Sequence, residues 1–573
     1  MQLPRGLSLL LALLPALPGC PRSPEPPLVP PLEVTIRPAG SAAAWFAPDI
    51  DADRAISLVA FLDQRCRWPG NLPYREALDE VESRLRWAGF GDDPRLVLER
   101  WTVHESVATW EPLAASLDVL SPSPEPLLSF VSGADRDRTM VLVGSPGTTE
   151  TIEVELVVDG DAAHVKNRAV LVQGVPDSQY RRLGAAHALV ALFSADTRPE
   201  GPAATDDAIP FGGVHALAGG PVALRISRRV ERHLRELLEK SGPVVLRVRV
   251  DVREGDGPVD ALHAEIRGAD LPGLLFIAHA DEPGAEDNAS GVAVAVALAE
   301  LYGLGLRGGR APAPNRSLHF VIGPELDHAE EAVRRLGDGL GWAVALDQVG
   351  RPQGEGPYGE ATRALVERGP DPSLRWPVDV GPGSGWLEPG EAGVVGEDKW
   401  TSWPASLLPD VLVGLLDEAG GTWRSHPFEG GSDHVAFLGA GIPAALVWKF
   451  PDPTYHTNLD RFGPSVVSQE ELALVGRGLA ALIASLGWED GSAVANAAAE
   501  QVAGRVISVS TGEGQEPACA WGRWLEQSAE ELRRMLGPAA TAHDTEIPAG
   551  VVAAWVRLLR ERCAGTGPDV VPR

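Results

Sequence analysis

Positive charge is scarce in this chain: 50 lysines and arginines stand against 79 aspartates and glutamates in 573 residues, a net charge of -29. A surface of that sign repels phosphates, which excludes nucleic acid as a partner. Cysteine is rarer still. The four present, Cys20, Cys66, Cys519 and Cys563, show no metal-ligand spacing, so no thiolate zinc module organises the fold. Internal repeats are absent, which excludes a solenoid. Beyond the first twenty residues no run is read as approaching the ~20 apolar residues of a membrane helix. What is plentiful is hydrophobic residues, 44% of the chain, enough to fill two to four folded units.

The opening "MQLPRGLSLLLALLPALPGC" has Arg5, an apolar stretch from Leu7 to Leu17, then Gly19 and Cys20. It reads as an export signal, too short for a stable anchor. Its end, "LPGC", resembles the bacterial lipobox, which implies lipidation of Cys20 and attachment to the cell envelope through that lipid alone; an unused lipobox implies secretion. Residues 21–40 form a proline-rich tether. An exported chain permits a Cys519–Cys563 disulfide without establishing it.

Helical periodicity flanks "WPGNLP" in residues 51–90, which predicts two amphipathic helices within a first segment, 41–114. Short β-rich runs follow in 115–243 and are read as a smaller inserted α+β or β domain. "VVLRVRVDV" and "ALHAEI", separated by "REGDGPVD", are expected to form a hairpin opening a further domain, 244–486. There "LLFIA", "LHFVIG", "AVALD" and "AALVWKF" alternate with helical patterns. The expected fold class is therefore α/β, a mostly parallel mixed sheet flanked by helices. "SQEELALVGRGLAALIASLGW" closes it, and residues 487–573 are read as a helical extension.

Titratable residues sit where these strands end. His279 ends "LLFIA", Glu325 follows "LHFVIGP", Asp347 ends "AVAL", and His456 follows "AALVWKFPDPTY". Ligands of open α/β sheets bind beyond the carboxyl ends of the strands, so these distant residues converge on one crevice, within reach of Asp287. Taken singly, Asp287 suits a helix cap, His279 a core histidine and Asp347 a turn. Together they suit zinc, with one carboxylate left over as general base.

The ordered set "HAD" with "GAEDNASGVA", "FVIGPE", "ALDQVG", "GGSDHVAF", and "GIPAALV" with "YHTNLD" resembles the M28 family of zinc aminopeptidases, over about residues 50–485. The resemblance implies a zinc-aminopeptidase-like fold with a protease-associated-like insertion, and hydrolysis of N-terminal residues from peptides. It implies that His279 and Asp347 hold one zinc, His456 the other, and Asp287 both. Asp281 would fix the ring of His279, and Glu325 would be the base.

One position departs from the family, which has a second acid, a ligand of the zinc held by His456, where this chain has Leu326 in "PELDHAEE". Asp327 or His328 is a candidate substitute, although "DHAE" also reads as a helix start with Asp327 as cap and Glu330 reaching back. The departure predicts one tightly held zinc and a second weakly held or absent. Ser432, Asp433 and His434 are adjacent, which rules out a hydrolytic triad, and are expected to shape the pocket. Trp376, Trp386, Trp400, Trp403 and Trp423 suit core or lid packing, with a pocket for an apolar side chain as the alternative. Two other functions compete with the aminopeptidase: a catalytically silent lipoprotein that binds peptides or a partner, and a glutaminyl-cyclase-like aminoacyltransferase, whose zinc needs the acid missing at Leu326. Peptides are the expected ligands; the oligomeric state is not legible.

Overall fold

The computed structural model describes residues 49–535 except 132, 173–175, 195–205, 216, 218, 357–360, 370–406, 427, 429, 489–493, 496–497, 499–526 and 529. Cys20, Cys519, Cys563, Trp376, Trp386, Trp400 and Trp403 lie outside the described residues.

Two helices open the fold, α1 (Ala52–Asp63) and α2 (Leu72–Trp87), started by Asp51 and Asn71, whose side chains accept from the N–H groups of Arg54 and Tyr74. The chain continues as β1 (Leu96–Ser121), β2 (Glu125–Phe130), β3 (Ile152–Val158), α3 (Ala162–Val165), β4 (Ala169–Val172), α4 (Pro176–Ala185), β5 (Val190–Ser194), β6 (Val222–Ile226), α5 (Arg228–Ser241) and β7 (Val244–Ile266). The remainder is β8 (Leu271–His279), α6 (Ala289–Arg307), β9 (Arg316–Gly323), α7 (Asp327–Leu336), β10 (Leu340–Leu346), β11 (Gly354–Glu355), β12 (Ala361–Arg368), α8 (Leu408–Glu418), β13 (Trp423–His426), α9 (His434–Gly439), β14 (Ala444–Phe450) and α10 (Gln469–Gly487).

One 14-stranded sheet runs β11-β12-β14-β10-β8-β9-β7-β3-β4-β5-β6, with β1 on β7 and β2, and β13 on β12. Its centre, β14-β10-β8-β9, is parallel, and every residue from Gly273 to His279 is buried. That is why those strands read as unbroken apolar runs rather than as an alternation.

Two readings need correction. The expected hairpin over 244–266 is a single strand, β7, paired antiparallel with β1, with Gly255 opposite Thr109 and Gly257 opposite Val107. Register shifts in β1 absorb the glycines that suggested a turn. Second, α6 is 19 residues long with a mean hydropathy of 1.7, long and apolar enough to cross a membrane, yet 89% of that window is buried. It is a core helix, and its one acid, Glu300, is paired with Arg54 of α1.

Candidate metal centre

The carboxyl ends of β8, β9, β10 and β14 face one crevice. His279 Nε2 lies 3.4 Å from Asp287 Oδ1 and 3.5 Å from Asp347 Oδ1, and these three buried residues form one group of potential metal ligands. A second group shares Asp287: His456 Nε2 is 3.1 Å from Asp287 Oδ2 and 3.4 Å from Glu282 Oε2. Glu282 is the residue that the sequence reading missed. It belongs to the same acidic stretch as Asp281 and Asp287, but nothing in its spacing distinguishes it from a solvated loop acid. Its signal is conformational, a backbone φ of +73°, which a non-glycine residue adopts only under constraint. Arg67 supplies that constraint: the two residues form a β-bridge, and its guanidinium donates to Ala280 O (2.8 Å) and Gly284 O (2.8 Å).

The proposed substitutes point elsewhere. Asp327 Oδ2 pairs with His104 Nε2 of β1 at 2.8 Å, and His328 is buried with Nδ1 on Pro324 O and Nε2 3.5 Å from Asp433. Asp327 does not cap α7 either; the cap position is Leu326, at φ +62°, with no side-chain cap and its own side chain 45% exposed. Where the resemblance asks for an acid at 326 the chain presents exposed apolar surface, and the carboxylate that stands beside His456 and Asp287 is that of Glu282.

The stretch "GAEDNAS" explains how the ligands are aimed. Glu286 accepts from the N–H groups of Gly350 (3.0 Å) and Arg351 (2.8 Å), and Ser290 Oγ accepts from Val349 N (2.9 Å). Asn288 donates to Leu346 O (2.7 Å) and caps α6 through Gly291 N (3.0 Å). These bonds grip the end of β10 and bring Asp347 to Asp287. From the other side Asp460 accepts from Glu286 N (2.8 Å) and Asp287 N (3.0 Å). Gly284 permits this approach: a Cβ there would lie 2.2 Å from Asp460 Oδ2.

Ser432, Asp433 and His434 of "GGSDH" are buried, as the ligands themselves are. Ser432 Oγ donates to Asp347 Oδ2 (2.9 Å), Asp433 Oδ1 accepts from Leu326 N (2.8 Å), and His434 Nε2 pairs with Glu367 (2.9 Å). Trp423 is buried in the core, as the packing alternative expects. Asp281 accepts from Glu325 N at 2.9 Å, which orients that backbone, and its Oδ1 lies 3.5 Å from His279 Nδ1.

The donor set fits zinc. Tetrahedral zinc with bonds of about 2.0–2.2 Å sets its ligand atoms roughly 3.3–3.5 Å apart, the spacing of His279 Nε2 from Asp287 (3.4 Å) and Asp347 (3.5 Å), while His456 stands closer to Asp287, at 3.1 Å. Both ring nitrogens of His279, Asp347 Oδ1 and Glu282 Oε2 are buried without hydrogen-bond partners. Electrostatics agree. Burial, then the like charges of neighbouring acids, pushes the carboxyls of Glu282 and Asp347 up. Burial likewise pushes Glu325 well above its ordinary range, against the pull of His279. Burial opposes charge on His279, but Glu325 and Asp347 outweigh it and raise its pKa well above the usual value. The cluster carries more negative charge than its histidines balance, and a divalent cation relieves it.

No protein-family model matches the chain, and no curated protein matches it. Solved structures do. A peptidase M28 precursor from Shewanella amazonensis SB2B is 16% identical with a TM-score of 0.51, over 78% of this chain and 94% of that one. BSAP, a zinc aminopeptidase from Bacillus subtilis, is 16% identical (TM-score 0.48; 77% and 96% covered). An aminopeptidase from Aneurinibacillus sp. strain AM-1 is 17% identical (TM-score 0.46; 78% and 97% covered). At such identities the likeness to the Shewanella structure establishes the fold, an M28-type α/β fold.

Proposed function

We propose that this chain is a zinc-dependent aminopeptidase that removes N-terminal residues from peptides. The observation that carries the reading is the convergence of unpartnered donor atoms of His279, Asp347 and Glu282 on Asp287, with Glu325 at the end of the adjoining strand. His279, Asp287 and Asp347 would hold one ion, and His456, Asp287 and Glu282 a second. When bound, zinc acidifies a water and polarises the scissile carbonyl. Glu325, held by Asp281 at its backbone, takes the proton from the attacking water and returns it to the departing amine.

An amino rather than a carboxyl terminus is selected by charge. Among the described residues the arginines beneath the cluster are committed: Arg67 to carbonyls, Arg138 to Asp63, and Arg351 to Asp452. The crevice therefore offers carboxylates that suit an ammonium, while these three guanidiniums are already engaged. The lipobox-like "LPGC" supports an envelope-attached protein lipidated at Cys20, which detergent partitioning and the N-terminal mass would test.

Leu326 supports a second reading, a silent peptide-binding module. Assay of the zinc-loaded protein against aminoacyl p-nitroanilides separates the two: hydrolysis that disappears in Glu325→Gln supports the enzyme, and its absence from the wild type supports the module.

A further inference from the structure

Residues 208–213 connect β5 and β6 at the far end of the sheet, yet they run along the loop between β14 and α10 that carries His456. Ile209 N donates to Asn458 Oδ1 (2.7 Å) and Ile209 O accepts from Asn458 N (3.1 Å), so one asparagine answers both backbone groups of its partner. Phe211 N then donates to His456 O (2.9 Å), and Pro210, which has no N–H to offer, forms a β-bridge with Thr457. A third stretch braces both from adjacent positions: Thr139 Oγ1 donates to Ile209 O (2.6 Å) and Arg138 Nη2 to Asp460 O (2.7 Å). Thr139, Ile209 and Asn458 are buried, so these groups have little water to turn to if a bond is lost. The first corner is held otherwise. His279 lies in register with Gly323 of β9, and Asp347 N donates to Val447 O of β14 (3.1 Å), both within the central strands.

We propose that Asn458 is a positioning residue for the second ion, and that through it zinc binding at His456 is coupled to the docking of residues 208–213, which lie 249 positions earlier at the Ile209–Asn458 pair. This rests on the two-ion centre of the reading above, not on turnover. His456 has a φ of +54°, a conformation that a non-glycine residue keeps only where its surroundings fix it, and the bonds from Phe211 N and around Asn458 do so. Without the Asn458 amide the buried N–H of Ile209 loses its acceptor and the segment detaches. His456 then reaches Asp287 and Glu282 in only a fraction of the molecules, and the second ion's apparent affinity falls by that fraction. The coupling is reciprocal: an ion that needs His456 in place must in turn hold residues 208–213 down.

The test is zinc titration of the full-length protein against a chromogenic chelator, together with amide hydrogen exchange of peptides covering residues 206–213. Asn458→Ala should weaken the second ion about tenfold or more and leave the first within about threefold. Thr139→Val, which removes only the brace on Ile209 O, should act in the same direction more weakly and keeps the comparison available if Asn458→Ala folds poorly. In the wild type, filling the second site should slow exchange in 206–213, and His456→Ala, which keeps the first corner, should abolish that zinc-dependent protection. Equal weakening of both ions in Asn458→Ala would make the residue a general support of the crevice, and unchanged affinities would leave it a loop-packing residue; either overturns the proposal. Protection that persists in His456→Ala overturns it as well, because the first ion would then be its source. A wild type that takes up no second zinc at all fails the two-ion reading itself, and the titration shows this before any variant is compared.

Discussion

The two ligand corners that meet at Asp287 are built differently. His279 and Asp347 stand at the ends of adjacent parallel strands, β8 and β10, and are buried. Glu282 and His456 stand on loops, both with positive φ, +73° and +54°, and His456 stays half-exposed. The first corner is positioned by a sheet whose geometry leaves little choice. The second depends on backbone strain held by neighbours, Arg67 behind Glu282 and residues 209–211 behind His456. A strand-end ligand is inexpensive to place, whereas a loop ligand needs a supporting structure of its own.

Substitutions at the residues the corners share, and then at each corner separately, put this difference to the test. The largest effect is expected for Glu325→Gln: kcat falls by roughly two to four decades with zinc content unchanged, measured by steady-state assay and metal analysis. Full activity would remove Glu325 from the mechanism. Next come the ligands. His279→Ala should abolish tight zinc retention through dialysis. Glu282→Gln should weaken only the second ion, by about tenfold or more in a zinc titration, because Asp287 and His456 alone are too few donors. Leu326→Glu in the wild-type background should change that second affinity little, since the side chain at 326 faces solvent. A large gain would show that Glu282 does not fill the position.

The same contrast explains what was legible in the sequence. Apolar runs interrupted by His279, Glu325 and Asp347 identify strand ends because burial on both faces removes the alternation, and the topology then forces those ends together. Glu282 was not legible, because its role comes from its φ and from Arg67, far earlier in the chain, whose buried guanidinium in the turn after α1 holds the carbonyls of Ala280 and Gly284 on either side of it. The β7 glycines misled for a related reason. A partner strand with shifted register, not the local composition, decides whether "REGDGPVD" turns or continues. Asp327 and His328 carried the right chemistry in the wrong direction, since α7 turns one toward His104 and the other into the core.

A smaller effect is expected behind the first corner. Ser432→Ala removes the hydroxyl that donates to Asp347 Oδ2, leaving the ligand in place but less firmly oriented. Outer partners of this kind are worth about ten- to a hundredfold in metal affinity. Competition with a chromogenic chelator should show the loss at the tightly held ion while the second ion is unaffected. Equal weakening of both ions would mean that Ser432 supports the shared crevice rather than one corner.

The smallest effect is expected at the opposite ends of the strands, where the chain should carry stability and no chemistry. Glu531 is buried against the start of β10, accepting from Trp342 Nε1 (3.1 Å) and Leu407 N (2.7 Å), and burial raises its pKa from 4.5 to about 8 despite those donors. The unfolded chain therefore releases this proton near 4.5 while the folded chain keeps it until about 8. Below 4.5 the contribution is fully present, and it is lost progressively as pH rises across that window. The loss is on the order of 2 kcal/mol, bounded by what docking of this segment contributes. Guanidinium melts followed by tryptophan fluorescence at pH 5 and pH 8 should show the wild type losing stability relative to Glu531→Gln, which keeps an acceptor without a titrating proton. Zinc content and kcat should be the same in both proteins. A matching pH slope in the variant would remove Glu531 as the cause, and a change in kcat would show that the amino ends of the strands are coupled to the metal centre after all.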